Sequence, residues 1–343
     1  MSNIRILMPI FVLAICCIAT AQPRTIAKIV GNNSISDHDA EKIQRYATVW
    51  AENLQTTNTS ELSIAHNKLV EPLKPEYNMS PYARSLYGKA LKESFKTLLS
   101  SENDMGAINA LQILSLLGTE QACGMLLNRA DTATEERPSL RLWASIGLGK
   151  SFQMGVLPPS RISDYATLLS KFTLKEKEWH IVARQFDALA TLYSIPDVDK
   201  REQATLEELS MQLQTNAIVQ LLGNIKKSSS ADDRVKSLPF ILPSLRLQLI
   251  EPSITRRVRE KGQSILLPAL IDFVEFSTTH AATSKDNDQL HSAYRESVNS
   301  AGLIVNRILG VEGGDVSLAE LWETGDYKSI ADRVSLWKEH TKN

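Results

Sequence analysis

The first candidates for chemistry are the few cysteine, histidine and acidic residues whose spacing could form a site. Only Cys123 of the three cysteines lies outside the apolar N-terminal stretch, and its apolar neighbours are typical of a small core residue. Asp37, His38 and Asp39 are the densest group of metal-ligating residue types, but adjacent residues on a helix point in different directions. The sequence also lacks phosphate-cradle and nucleophile-elbow motifs. We therefore expect no metal, no cofactor and no cysteine nucleophile.

One stretch suggests a catalytic alternative. The sequence YRESVNSAGLI, residues 294–304, resembles the catalytic Glu-Ser stretch of lytic transglycosylases, which are exported helical glycosidases. The resemblance implies that Glu296 would be the general acid and that Ser297 would orient it. The spacing to the following AGL is shorter than in that family, and no matching Tyr-containing segment follows. The alternative function is thus a cell-wall glycosidase, which requires Glu296 in a cleft.

Composition and charge limit the fold classes and the kinds of partner that remain possible. The 343 residues are 43% apolar and 22% charged, which is ordinary for a globular protein. The net charge of −1 gives no electrostatic reason to expect nucleic acid or an anionic membrane surface as a partner. Aromatic residues make up only 6%, which is low for a β-sandwich and normal for a helical protein.

The N-terminus predicts export. One basic residue precedes an apolar run that ends in Ala-Thr-Ala, so residues 1–21 have the pattern of a cleaved signal peptide, with an uncleaved anchor as the alternative. Residues 22–35 are polar and suggest an extended linker. Without the leader only one cysteine remains, a pattern common in the bacterial envelope. We expect a periplasmic or secreted protein with no further membrane span, since the apolar stretch 264–276 is too short and holds two acids.

Helical periodicity dominates the rest of the chain. Ser36 and Ser80 are predicted N-caps, and Asp104 is predicted to cap the next helix. That helix, up to Gly118, is apolar on nearly every side, whereas residues 120–130 have a single apolar face. A helix covered on several sides beside a half-exposed one is typical of stacked helical hairpins. No stretch has the alternating pattern of a strand, so we expect an all-α protein.

The segments AINALQILSLLGTEQACGMLL and RLWASIGLGKSF superimpose at an offset of 34 residues and resemble HEAT or HEAT-like repeats. The resemblance is clearest over residues 104–172. It implies a right-handed superhelix of antiparallel helix pairs. Since the rest of the chain is helical at similar lengths, we expect residues 36–343 to form one domain of 13 or 14 helices. An irregular multi-helix bundle is the alternative fold.

Members of that family usually hold a protein partner along a concave surface, so the resemblance implies a non-catalytic scaffold or adaptor. A structural component without a fixed partner is a further possibility. Exposed aromatic and arginine side chains on successive inner helices are the best candidates for binding. The candidates are Arg141, Trp143, Trp179 and Arg184, with a core role as the alternative for the two tryptophans.

Overall fold

The computed structural model describes residues 25–228, 232–285, 287–311 and 316–341, and the described chain is all-α, as the sequence predicts. It contains no strand in these ranges. The 15 α-helices of these ranges are α1 (Ala27–Val30), α2 (Asp37–Asn53), α3 (Thr59–Val70), α4 (Pro81–Ser100), α5 (Asp104–Leu117), α6 (Glu120–Ala130), α7 (Pro138–Phe152), α8 (Pro159–Thr173), α9 (Trp179–Ala190), α10 (Lys200–Lys227), α11 (Leu238–Ile250), α12 (Arg256–Ser284), α13 (Asp288–Leu309), α14 (Leu318–Thr324) and α15 (Tyr327–His340). Short 3-10 helices cover Glu71–Leu73, Pro75–Tyr77, Thr191–Ser194 and Asp233–Ser237.

Local capping chemistry sets most helix starts. The hydroxyls of Ser36, Ser80 and Thr119 accept hydrogen bonds from backbone N–H groups in the first turns of α2, α4 and α6. The expected cap at Asp104 is wrong by one residue, because the Asn103 side chain accepts from the N–H of Gly106. Gly118 ends α5 in the left-handed conformation, with φ +58°, as its position predicts.

The helices form two rows. One row runs α3, α5, α7, α9, α11, α13 and α14, and the other runs α6, α8, α10, α12 and α15. At the N-terminal end, α2 and α4 pack on each other and contact the first row through α3 and α5. Helices pack mostly against members of their own row and against sequence neighbours in the other row. Helix α5 contacts α3, α4, α6 and α7, which explains why it is apolar on nearly every side.

The interior divides into two apolar clusters. The N-terminal core extends from Ile26 through α8 and includes Leu189 of α9. The C-terminal core begins with Val182 and Phe186 of the same helix and extends to α15. Helix α9 therefore contributes to both cores and joins the two halves, an arrangement that the sequence pattern did not indicate.

Some expectations need correction. Residues 25–35 of the predicted linker are not an extended segment, because they contain α1. Val30 at its end and Ile26 just before it are buried, and the N–H of Ser80 donates to the carbonyl of Val30. The spacing of apolar residues predicts a helix from Lys175 to Tyr193, but α9 begins only at Trp179 and ends at Ala190. The predicted signal peptide, residues 1–21, lies outside the described residues. Within the described chain, no helix combines the length and the apolar character needed to span a membrane.

Candidate binding surface

A depression crosses the first row of helices from α3 to α9. It consists of two adjoining cavities of about 340 and 350 Å³, which share Ile146 and Lys150 of α7. We call it the central groove. The cavity on the α3 side is lined by His66, Val70, Gln112, Ser115, Leu116, Trp143, Ile146, Gly147 and Lys150. The cavity on the α9 side is lined by Ser145, Ile146, Gly149, Lys150, Gln153, Arg184, Asp187, Ala188 and Thr191.

Helical spacing aims the α7 residues into this groove. Trp143, Ile146 and Lys150 follow one another at intervals of three and four, so they share one face of α7. The opposite positions, Ala144 and Leu148, are fully buried in the N-terminal core. The indole of Trp143 is half-buried and therefore offers part of its surface to the groove.

Two glycines of α7 allow neighbouring helices to approach closely beside the groove. A Cβ added to Gly149 would lie 3.0 Å from the Cα of Ala188, so the backbones of α7 and α9 come close together. A Cβ added to Gly147 would lie 2.9 Å from Leu126 Cδ2 of α6. The stretch Ile-Gly-Leu-Gly, residues 146–149, indicates that other backbone can approach closely here. Only the packing shows which helix lies against each glycine.

The polar groups of the groove differ in their availability. Arg184 is exposed and pairs with Asp187 one turn later at 2.6 Å. The Lys150 side chain is exposed and forms no ion pair with any described residue. Burial lowers the pKa of His66 from its ordinary value, and a hydrogen bond with Asn109 opposes that shift only in part. This shift favours the neutral imidazole of His66. Lys150 is therefore the charge of the groove that no described carboxylate neutralises.

The four predicted binding residues separate in the structure. Trp143 and Arg184 both line the central groove. Trp179 lies nearer the C-terminal half, where its ring stacks on Phe240 at 5.7 Å between centroids. Phe240 is 53% exposed. It lies in a proline-interrupted stretch without clear periodicity, so the sequence gives no signal for its exposure.

Arg141 is not available for binding. Its side chain is 8% exposed and forms a bidentate ion pair with Glu176 at 2.8 and 3.1 Å. It also donates to the carbonyls of Glu135 and Glu136. The expectation of a surface arginine is corrected here, because a carboxylate from the loop after α8 covers the position.

The other candidates for chemistry are not assembled into sites. Ser297 is fully buried and donates to the carbonyl of Ala293, so it does not orient Glu296. The Glu296 side chain is 52% exposed and accepts hydrogen bonds from Ser292 and Arg295. Burial raises the pKa of the Cys123 thiol to about 12, which keeps it protonated and unreactive. The described residues contain no cluster suited to a metal ion.

Comparisons with known proteins add little to this geometry. No protein-family model matches the chain, and a search of curated proteins finds no match. Two crystal structures of engineered proteins are similar to it in part. One is 14% identical and covers 75% of this chain and 97% of its own, with a TM-score of 0.36. The other is 12% identical, and the match covers 89% of this chain and 93% of the engineered protein, with a TM-score of 0.31. Similarity at this level says nothing about function.

Proposed function

We propose that the chain is an exported, non-catalytic scaffold with HEAT-like repeats that binds a protein partner in the central groove. The observation that carries the proposal is the continuity of this groove across helices of one row, with Trp143 and Ile146 on its floor. Stacked helix pairs provide extended surfaces of this kind, and half-buried aromatic residues at their centre are typical of binding hot spots.

The lining of the groove suggests the chemistry of the partner. Apolar side chains dominate around Trp143 and Leu116, so the partner would insert an apolar or aromatic side chain there. Lys150 stands between the two cavities without a described carboxylate, so an acidic residue of the partner would neutralise it. We therefore propose a segment that combines an apolar anchor with a nearby Asp or Glu.

A photo-cross-linking amino acid at position 146 tests the proposed surface. Expressed in the source cells, this variant should form one dominant adduct with an envelope protein, identified by mass spectrometry. Leu168 is the matched control, since it is 38% exposed but lies on α8 in the other row. Adding Trp143→Ala to the position-146 variant should abolish the adduct while the circular dichroism spectrum is unchanged. Equal adducts at both positions, or none, would contradict the proposal.

Two further measurements test its remaining parts. The N-terminal sequence of the protein isolated from cells should begin at Gln22 if residues 1–21 are a cleaved leader. Incubation with purified peptidoglycan should release no soluble fragments. Release by the wild type that Glu296→Gln abolishes would instead establish the glycosidase alternative.

A further inference from the structure

A second surface, independent of the central groove, lies on α11 and α13. Four large apolar side chains are exposed there: Phe240 (53%), Leu247 (60%) and Ile250 (37%) on α11, and Leu303 (44%) on α13. The three α11 residues recur at intervals of seven and three, so together with the half-buried Pro243 they form one stripe along that helix. We call this surface the α11 face. A contiguous exposed apolar stripe on a helix is typical of an interaction site.

The two ends of the α11 face carry opposite charge. At the start of α11, a depression of about 600 Å³ is lined by Pro239 and Pro243 and by the side chains of Arg295, Glu296, Glu320 and Glu323. Arg295 pairs with both Glu323, at 2.8 Å, and Glu296, at 3.4 Å. Three carboxylates thus face one guanidinium group, and this end is acidic.

The end of α11 is basic. A depression of about 240 Å³ there is lined by Leu249, Ile250, Arg256, Arg259, Glu260, Gln263 and Arg307. Arg256 pairs with Glu260 at 2.7 Å, so Arg259 and Arg307 remain without a described carboxylate partner. The 13 residues of α11 therefore separate an acidic end from a basic end by roughly 20 Å. The apolar stripe lies between the two ends, with the half-buried Arg246 at its margin.

This charge pattern complements itself. A twofold axis through the middle of α11, perpendicular to the helix, places two copies of α11 antiparallel. Each acidic end then faces the basic end of the other copy, and the apolar stripes meet at the centre. Twofold axes produce interfaces in which the same patch serves both subunits. A single foreign partner would need to reproduce this pattern in reverse, whereas a second copy of the chain already carries it.

We infer that the protein forms a twofold-symmetric homodimer through the α11 face. The apolar stripe supplies the buried centre of the interface, and the charged ends set the antiparallel orientation. The central groove lies on α3 to α9 and stays outside this contact, so the dimer presents two grooves.

Sedimentation equilibrium of the purified protein over a concentration series tests the inference. The wild type should approach twice the monomer mass. Leu247→Asp places a charge at the centre of the interface and should raise the dissociation constant at least about tenfold, which corresponds to about 1.4 kcal/mol. Leu336→Asp is the matched control, because Leu336 is 45% exposed on α15 and should leave the dimer intact.

A charge exchange tests the orientation. Glu320→Arg and Arg307→Glu should each weaken the dimer, since each cancels the net charge of one end and places two like charges opposite each other at positions 320 and 307. The double variant reverses both charges, so the attraction between these two positions returns and part of the association should recover. A wild type that stays monomeric, a mass that grows beyond the dimer, or a Leu247→Asp variant that associates normally would overturn the inference.

Discussion

The three longest described helices lie in the C-terminal half of the molecule, whereas four consecutive helices in the N-terminal half are short. Helices α5 to α8 have 14, 11, 15 and 15 residues. Helices α10, α12 and α13 have 28, 29 and 22 residues. Short helices place many helix ends, with their unpaired backbone carbonyls, inside the molecule. The two halves consequently use different residues to hold their helices together.

Arginine side chains satisfy the helix ends of the N-terminal half. Arg137 donates to the carbonyls of Leu99 and Ser101 at the end of α4, and it pairs with Glu135 at 2.8 Å. Arg129 approaches the same carboxylate to 3.0 Å. These residues lie in or beside the connections between helices, so the network fixes how successive helix pairs stack.

Aromatic rings fill the C-terminal half. Phe273 stacks on Tyr294 with ring centroids 6.3 Å apart, and Tyr294 stacks on Trp322 at 6.2 Å. Tyr327 meets the other side of Trp322 edge-on at 5.2 Å. Long helices pack along uninterrupted surfaces with few helix ends between them. Large aromatic rings bury much of such a surface per residue. A row of contacting rings thus joins α12, α13 and α14 in the C-terminal half.

The largest expected effect on stability concerns the stacked rings of Phe273, Tyr294 and Trp322. Trp322 is 1% exposed, so Trp322→Ala leaves a cavity in the C-terminal core and should cost about 3–5 kcal/mol of unfolding free energy. Hydrogen exchange followed by mass spectrometry should show faster exchange in α12 to α15 and little change in α5 to α8. Equal loss of protection in both halves would show that they unfold as one unit.

The second prediction concerns the buried ion pair of the N-terminal half. Glu176→Ala leaves Arg141 buried without a counter-charge and should cost about 3 kcal/mol, at the lower end of values for broken buried pairs. Urea unfolding followed by circular dichroism measures the loss. Glu208→Ala removes a carboxylate that pairs with Arg257 and Lys261 at the surface, and it should change stability little. Comparable losses in the two variants would contradict the assigned role of the pair.

Acid should weaken the arginine network. Burial alone would raise the pKa of Glu135, but hydrogen bonds from Arg137 and the charges of Arg137 and Arg129 outweigh it and hold the pKa below its usual value. A depressed carboxyl pKa contributes stability above the unfolded-state value of about 4.3, and this contribution is lost as the pH falls through the folded-state pKa. The difference between the urea midpoints at neutral and acidic pH should therefore be smaller in Glu135→Gln than in the wild type. An identical pH dependence in the variant would refute this.

The smallest expected changes in unfolding free energy concern two helical glycines, Gly124 and Gly302. Gly124 on α6 has open space where a Cβ would stand, so Gly124→Ala should raise the unfolding free energy by up to about 1 kcal/mol. Gly302 on α13 has no such space, because an added Cβ would collide with Leu318 Cδ1. Gly302→Ala should therefore lower stability, by about 1–3 kcal/mol. Thermal unfolding of both variants measures the contrast, and a change of the same sign in both would contradict it.

Local sequence patterns were enough to predict most helices, their caps and the all-α class. These features depend on residues within a few positions of one another, as with Ser80 before Pro81 or Gly118 after α5. Helix ends were less predictable where distant groups intervene. Helix α9 starts only at Trp179. The Glu176 carboxylate before it accepts hydrogen bonds from the backbone N–H groups of Lys177 and Glu178 and from the side chain of Arg141.

Which predicted residues face a surface depended instead on packing between distant segments. Arg141 and Arg184 both looked like exposed arginines on successive helices, yet Glu176 covers the first, while the second pairs within its own exposed turn. Trp179 likewise acquired its ring partner, Phe240, from a helix about 60 residues later in the chain. Whether a polar or aromatic side chain is buried depends on which distant segment packs against it. Helical periodicity contains no information about that segment.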